Sequence, residues 1–463
     1  MSLLRLKRHR TLVEKPYFNP IQKYLPVFMR DLKKEARDIL EKNWQGNFTL
    51  PCEGLYPFQW LWDSGFIAIG WAHLDMEKAK KEISTLLDAQ WENGFIPHII
   101  FHNESDTYFP GPDYHCAYLH PKASKKYKST GITQPPVTGF VLHELYRISK
   151  NKGAILLFIE QVIDKVYENH NYFYQNRDPY NEGLVYIYHN WESGTDNSPM
   201  WDDIFNTMNS PEYNFERRDT AHVDPEQRPS RREYDHYLHI LEIAKKHNYD
   251  DEKIAESSPF LVQDPLFNSM LIKSNQSLIE LYELIGGKHE KIIQIKKWQE
   301  KSIHTFNEKL FDKELGAYIH YDLRNNRSIK YISSSSFAPL FARIPSQIRA
   351  QKIVDTLLER FLGKDNYLCA SFDTSSDKYN SVKYWRGPVW INLNWILYYG
   401  LKDYGFQALA QQVKKDSIEL VEKVGFYEYF DPRKEVYTIN SRGYGGNNFS
   451  WTAALIIDLL NEN

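Results

Sequence analysis

The sequence predicts an all-α fold, because amphipathic helical patterns recur along the chain while strand-like segments are few and brief. Between Phe28 and Trp44, apolar residues share one face and lysines and arginines occupy the opposite one. The same period predicts further helices at Met76–Gln90, Val137–Ser149, Ile155–Tyr167, Tyr234–Lys246, Phe267–Leu284, Ile292–Phe306, Ile348–Leu362, Val389–Leu401, Phe406–Val424 and Phe449–Leu460. About a dozen helices, counting short ones, favour stacked helix pairs in one domain, and the period alone fits a closed toroid and an open solenoid equally well.

The connections between these helices are long and rich in aromatic residues, Pro, Gly and Asp. The longest lie at about residues 91–136 and 171–230. Loops of this length without secondary structure of their own usually form lids or the walls of a site. No Ser/Gly-rich or Pro-rich linker divides the chain, although its 463 residues alone would suggest about three domains.

The composition excludes several classes of protein. Aromatic residues make up 15% of the chain, which excludes disorder, and the net charge of −3 gives no overall attraction to nucleic acid or to anionic lipid. Three widely spaced cysteines match neither a disulfide framework nor a zinc site. No signal peptide and no apolar run long enough for a membrane span is found. We therefore expect a cytoplasmic protein with no nucleic-acid and no membrane partner.

The segment from Trp191 to Asp202 is the most informative loop. It contains two tryptophans, small, turn-forming residues and three acids, one of which is Asp196. A carboxyl group held against indole in a site of low dielectric constant has a raised pKa, so it remains a proton donor near neutral pH. The structural alternative is an Asp/Asn-rich turn that caps the next helix.

A second acid, Glu428, stands among aromatic residues in the segment Gly425–Pro432. Taken alone, such a glutamate is more often a hydrogen-bond acceptor than a base. One acid among tryptophans and another among tyrosines is, however, the pair of carboxyl groups that glycoside hydrolysis requires.

Two aromatic clusters and one basic segment add to this pattern. The clusters, Tyr56–Gly65 and Tyr384–Trp390, combine flat rings with Asp, Gln and Arg, as sugar sites do, and the alternative is that most of their tryptophans are core residues. Five arginines between Arg217 and Arg232 either form a salt-bridged loop or offer a forked donor to a carboxylate. Dinucleotide, ATPase, zinc-protease and α/β-hydrolase motifs are missing, and the histidines show no ligand spacing.

The four segments together resemble glycoside hydrolase family 63, most closely its mannosylglycerate and glucosylglycerate hydrolases. The motifs are YPFQWLWD at residues 56–63, ESGTDNSP at 192–199, YWRGPVW at 384–390 and FYEYFDP at 426–432. The resemblance runs from about Tyr56 to Leu460, implies an (α/α)6 barrel capped by the long loops, and leaves residues 1–25 as an N-terminal extension of a catalytic domain at 26–463.

The resemblance also implies roles. Asp196 would be the general acid and Glu428 the general base of an inverting hydrolase without metal or organic cofactor, their carboxyl groups about 6.5–9.5 Å apart. Binding residues would comprise a sugar subsite and its wall (Tyr56, Trp60, Asp63, Trp191, Tyr384, Trp385 and Trp390) and lid positions near the leaving group (Tyr108, Arg228 and Tyr234).

The predicted partner is a small sugar substrate with a carboxylate in its leaving group, glucosylglycerate or mannosylglycerate. Two alternatives stay open. The first is an α-glucosidase or trehalase that acts on neutral sugars, and the second is a non-catalytic carbohydrate-binding protein that keeps the aromatic walls. The motifs fix neither the hexose nor the oligomeric state.

Overall fold

Helices dominate the computed structural model, which describes residues 30–221, 223–363, 365–438 and 441–462. The predicted N-terminal extension, residues 1–25, lies outside these ranges. The helices are α1 Leu32–Asn43, α2 Leu61–Leu74, α3 Met76–Asp88, α4 Pro112–His115, α5 Thr138–Ile148, α6 Lys152–Asn176, α7 Asp202–Thr207, α8 Arg231–Lys246, α9 Asp251–Ser257, α10 Pro265–Leu284, α11 His289–Lys309, α12 Gln347–Phe361, α13 Ile391–Asp403, α14 Gln407–Val424 and α15 Ser450–Asn461.

Six of the helical segments form an inner ring. They are α2, α5, α10, the 3₁₀ helix Ser334–Leu340, α13 and α15, and each contacts the next, with α15 returning to α2 to close the circle. The N-terminal turns of these segments are buried on all sides, as in α2, where every residue from Leu61 to Trp71 is buried. A helix that is buried all round belongs at the centre of a large fold.

The amphipathic helices form an outer layer, each packed on one member of the inner ring. Helix α1 packs on α15, α3 on α2, α6 on α5, α11 on α10, α12 on the 3₁₀ helix and α14 on α13. Six inner and six outer segments form the (α/α)6 barrel that the resemblance implies, and the fold-class prediction is confirmed. Because α15 contacts α2, the ring is a closed toroid and not an open solenoid.

Short strands lie in the connections between the helices. They are β1 Gln59–Trp60, β2 Ile99–Phe101, β3 Lys128–Ser129, β4 Val262–Gln263, β5 Phe311–Asp312, β6 Ala317–Tyr318, β7 His320–Asp322, β8 Arg327–Ile329, β9 Tyr427–Tyr429 and β10 Tyr444–Asn447. Two small antiparallel sheets matter for the site. The first has the order β1-β2-β3, and the second is the hairpin of β9 and β10.

The clearest differences from the predicted elements are in one outer helix and in two segments of the inner ring. Helix α6 continues to Asn176, past the predicted end at Tyr167 and into the loop predicted to begin at residue 171, because no Gly or Pro interrupts the segment and its last turns bury Tyr172 and Phe173. Two inner-ring segments, α2 and Ser334–Leu340, were not predicted as helices, since residues buried on all sides leave no apolar stripe to detect.

Candidate active site

A pocket with about 770 Å³ of space free of protein atoms lies among the long loops. It contains eleven of the twelve predicted site residues. Those eleven are Tyr56, Trp60, Asp63, Tyr108, Trp191, Asp196, Arg228, Tyr234, Tyr384, Trp385 and Glu428. Segments that are up to 372 residues apart along the chain, such as those of Tyr56 and Glu428, therefore meet at one place. The functional roles of these residues stay predictions.

Glu428 lies at the centre of β9, with only 2% of its surface exposed. The Tyr56 hydroxyl donates a hydrogen bond to its Oε1 at 2.8 Å, and the Gly446 amide on β10 donates one to its Oε2 at 3.0 Å. Burial raises the pKa of Glu428 above its ordinary value, while the charge of Arg228 and these two donors oppose the rise. The carboxylate is thus held in a fixed orientation by two hydrogen bonds.

Asp196 lies in the loop that follows the short 3₁₀ helix Asn190–Ser193. Its backbone carbonyl accepts a hydrogen bond from the Asn190 side chain at 2.8 Å, and its carboxyl group borders the pocket. The pKa of Asp196 is raised to about 7, chiefly by burial and in part by the charge of Glu428, while Arg228 and a hydrogen bond from Tyr384 oppose the rise. A carboxyl group with this pKa can donate a proton near neutral pH.

Arg228 is the cation of the pocket, and its side chain is 5% exposed. Its Nε donates to Asp219 Oδ2 at 3.2 Å, its Nη1 lies 3.7 Å from Glu428 Oε1, and its guanidinium stacks 4.1 Å from the ring centre of Tyr384. The buried Nη1 has no hydrogen-bond partner in the described structure. An unpaired buried donor is costly, so this atom is available to an anionic ligand.

Aromatic rings surround the two acids. Trp60, at the end of β1, packs edge-on against Tyr56 at 5.3 Å and against Tyr108 at 5.4 Å, measured between ring centres. On another side, Trp191 meets Tyr234 edge-on at 6.4 Å. Flat apolar walls of this kind, combined with acids and an arginine, suit the apolar face and the hydroxyl rim of a sugar.

Asp63 occupies the first turn of α2 and borders the pocket. Burial raises its pKa well above the ordinary value, and the nearby charge of Glu428 adds to the rise. Its carboxyl oxygens can accept hydrogen bonds from the hydroxyl groups of a sugar.

Trp390 is the one predicted site residue that does not line the pocket. Its indole stacks on that of Trp385 with 3.5 Å between ring centres, and its Nε1 donates to the Tyr384 carbonyl at 3.2 Å. It therefore lies behind the wall formed by Trp385, and its role in binding stays a prediction. Trp390 supports the wall and does not touch the pocket.

Two of the motifs are fastened to each other behind the pocket. Arg386 donates two parallel hydrogen bonds to Asp202, at 2.8 and 2.7 Å, and the Trp385 amide donates to the Asn197 side chain at 2.9 Å. The remaining acid of the loop, Glu192, is fully buried and pairs with Arg177 at 2.8 Å. Of the three acids in the loop Trp191–Asp202, only Asp196 faces the pocket, because the other two are paired with arginines.

Several further residues border the pocket without having been assigned to it from the sequence. They are Pro51, Leu55, Trp62, His98, Thr107, Phe109, Gln134, Gly194, Asp219, Phe449 and Trp451. Trp62 lies within the aromatic cluster Tyr56–Gly65 and Asp219 within the basic segment Arg217–Arg232. Their closeness in sequence to predicted site residues was a signal that could have identified them. His98 and Gln134 lie in the long loop at residues 91–136, where no local pattern distinguishes them.

The described part of the chain contains neither a metal-binding cluster nor a membrane-spanning helix. Within the described ranges, no group of three or more His, Cys, Asp or Glu side chains is arranged to hold a metal ion. None of the helices in those ranges is long and apolar enough to cross a bilayer.

Comparisons with known proteins agree with this geometry. Residues 56–452 match the family described as "Mannosylglycerate hydrolase MGH1-like glycoside hydrolase domain". A mannosylglycerate hydrolase of Thermus thermophilus is 41% identical over 91% of this chain and 99% of its own length, and a glucosylglycerate hydrolase of Mycolicibacterium hassiacum is 33% identical over 96% and 99%.

The solved structures give the same result. The crystal structure of a GH63 mannosylglycerate hydrolase from Thermus thermophilus in complex with Tris and D-glycerate is 40% identical, covers 93% of this chain and 100% of its own, and has a TM-score of 0.85. The neutral trehalase Nth1 of Saccharomyces cerevisiae, at 15% identity and a TM-score of 0.56, shares the fold alone. The chain belongs to glycoside hydrolase family 63, in its mannosylglycerate hydrolase MGH1-like group.

Proposed function

We propose that the protein hydrolyses the α-glycosidic bond of a small hexosyl glycerate, glucosylglycerate or mannosylglycerate, with inversion at the anomeric carbon. The observation that carries the proposal is the Arg228 guanidinium, which lies in the same pocket as the carboxyl groups of Asp196 and Glu428 and whose buried Nη1 has no hydrogen-bond partner among the described residues. A substrate with a carboxylate in its leaving group would pair with that donor.

In the proposed reaction, Asp196 protonates the glycosidic oxygen while Glu428 removes a proton from the attacking water on the opposite face of the sugar. The C–O bond to the leaving group breaks as the bond to the water oxygen forms. The products are the β-anomer of the hexose and glycerate, and the net result is the addition of one water molecule. The raised pKa of Asp196, about 7, supports its assignment as the acid.

Arg228 binds the carboxylate of glycerate in this proposal, and the hydroxyl groups of Tyr108 and Tyr234 border the same region. Asp63 holds sugar hydroxyls, and the rings of Trp60 and Trp385 cover the faces of the hexose. Removing the guanidinium therefore affects substrates with an anionic leaving group more than neutral ones.

The test of substrate class compares glucosylglycerate, mannosylglycerate, trehalose and kojibiose as substrates of the wild-type protein and of Arg228→Ala. We expect hydrolysis of at least one glycerate glycoside, and a loss of about 100-fold or more in kcat/KM when Arg228 is removed, the scale of a lost hydrogen bond to a charged group. Faster hydrolysis of trehalose or kojibiose than of both glycerate substrates would overturn the proposal.

The test of mechanism uses Asp196→Asn and Glu428→Gln. Positioned proton transfer contributes about 10²–10⁴-fold, so each variant is expected to lose activity on that scale while its thermal unfolding curve stays close to that of the wild type. Proton NMR during wild-type hydrolysis is expected to show the β-hexose first. The α-anomer as first product would contradict inversion, and near-native turnover by Glu428→Gln would remove its assignment as the base.

A further inference from the structure

Asp219 borders the pocket between two arginines. Its Oδ1 accepts a hydrogen bond from Arg217 Nε at 3.0 Å, and its Oδ2 accepts from Arg217 Nη2 at 2.6 Å and from Arg228 Nε at 3.2 Å. The Tyr234 hydroxyl lies 3.4 Å from the same Oδ2. The carboxylate is thus held by a bidentate pair on one side, and it holds the Nε edge of Arg228 on the other.

The contacts of Arg228 leave its Nη1 without a hydrogen bond. Asp219 takes the Nε edge, and the Tyr384 ring covers one face at 4.1 Å. Nη1 has no hydrogen-bond partner in the described structure and lies 3.7 Å from Glu428. Without Asp219, the guanidinium could turn the short remaining distance toward Glu428 and form a direct hydrogen bond with its carboxylate.

The backbone next to Arg228 is fastened as well. The Tyr429 hydroxyl donates to the Gln227 carbonyl at 3.1 Å, and the Gly445 amide donates to Gln227 Oε1 at 3.3 Å. Both donors belong to the β9–β10 hairpin that carries Glu428. The hairpin thus holds the backbone on one side of Arg228, while Arg217, the partner of Asp219, donates a hydrogen bond to the Pro229 carbonyl on the other side. The direct contact of Asp219 with Arg228 is to the guanidinium.

We infer that Asp219 is a positioning residue for the leaving group: by holding Arg228 at Nε it keeps Nη1 beyond hydrogen-bond distance of Glu428 and leaves this donor for the carboxylate of the substrate. Asp219 itself touches no reacting atom. The inference rests on the proposed hydrolysis of a glycerate glycoside and adds the residue that orients the arginine.

The experiment measures kcat and KM for the wild type, Asp219→Asn, Arg228→Ala and the double variant. Each is assayed with the preferred hexosyl glycerate and with the matching hexosyl glycerol, which has no carboxylate. For Asp219→Asn we expect kcat/KM to fall about 10- to 100-fold on the glycerate substrate, mainly through KM, because a charged hydrogen bond is lost. On the glycerol substrate we expect less than about a 3-fold change. Affinity for free D-glycerate, measured by calorimetry, is expected to fall by the same factor as kcat/KM.

The double variant separates a positioning role from a structural one. If Asp219 acts through Arg228, adding Asp219→Asn to Arg228→Ala causes no further loss on the glycerate substrate. Equal losses on both substrates, or additive losses in the double variant, would overturn the inference. A wild-type protein that cleaves neither glycerate glycoside would instead refute the proposed function itself.

Two more variants complete the design. Glu216→Gln is the matched control, because Glu216 is an exposed acid on the same segment whose partner is the exposed Arg218 at 3.0 Å, and we expect it to retain wild-type kinetics. If Asp219→Asn does not fold, Asp219→Glu keeps the charge and displaces the carboxylate. We then expect a smaller loss, again confined to the glycerate substrate, and an equal loss on both substrates would count against the inference.

Discussion

Asp196 can act as an acid near neutral pH because the pocket disfavours its charged form. Burial raises its pKa to about 7, and neighbouring Glu428, whose own pKa is raised by burial, adds to the effect. In the proposed reaction Asp196 must be protonated, so kcat/KM is expected to fall as the pH rises through about 7. Glu428 must be ionised, so kcat/KM is also expected to fall on acidification, and this fall begins above the ordinary pKa of a glutamate, 4.5. A pH–rate profile with hexosyl glycerate checks this, and activity that stays constant up to about pH 9 would contradict it.

At this scale, the sequence allowed some residues to be predicted and not others. Asp196 and Glu428 stand among aromatic residues in their own segments, so local composition was sufficient to select them. Asp219 lies between arginines that could equally have formed a surface network, and only the folded chain shows that it faces the pocket. Trp390 shares a motif with Trp385, and composition cannot tell the pocket-facing ring of a stacked pair from the ring behind it.

The loop that carries Asp196 depends on a glycine. Gly194 has φ +71°, and a Cβ at this position would approach the indole of Trp62 to 2.5 Å. Gly194→Ala must therefore shift the loop or the tryptophan, and a displacement of about 1 Å at a catalytic group can cost about 10²-fold in rate. We expect kcat on hexosyl glycerate to fall by about that factor.

The matched control for Gly194 is Gly46, which has φ +87° and where an added Cβ would meet no atom within 4 Å. Both alanine variants bear the conformational cost of a positive φ, about 1–2 kcal/mol in the free energy of unfolding. We expect Gly46→Ala to show this loss in urea unfolding without a change in kcat. Equal kcat values for the two variants would show that the contact with Trp62 does not position Asp196.

At the level of elements, the outer helices were predictable and the inner ring was only partly so. Helix α3 shows an apolar stripe against a charged face, which is the pattern of a helix packed on one side. Helix α2 is buried on every side, and its sequence was interpreted as an aromatic cluster because no stripe stood out. Closure of the ring depends on contacts between α2 and α15, which lie at opposite ends of the chain and which no local pattern encodes.

Over the whole molecule, two sets of buried titratable groups oppose each other as the pH falls. Burial lowers the pKa of His115 and of His189 to about 3, so below the ordinary 6.5 the unfolded chain binds protons that the folded chain does not, and stability is lost. Burial raises the pKa of Glu82 to about 7, and the folded chain therefore binds a proton before the unfolded chain does, so stability is gained between about pH 7 and its ordinary 4.5. The net acid response is the difference between these two contributions.

Single variants separate the two contributions. His115 is fully buried and neither ring nitrogen has a partner in the described structure, so His115→Leu removes a titrating group without breaking a side-chain hydrogen bond. Between about pH 6 and pH 5, His115→Leu is expected to reduce the loss of unfolding free energy on acidification by about 1.4 kcal/mol per pH unit. Glu82→Gln is expected to increase that loss by a similar amount, because it removes a group that stabilises the folded chain when protonated. Urea unfolding of the wild type and both variants at several pH values in this window measures the slopes. Slopes that change in the same direction in the two variants would show that buried imidazoles and carboxyl groups do not oppose each other in this barrel.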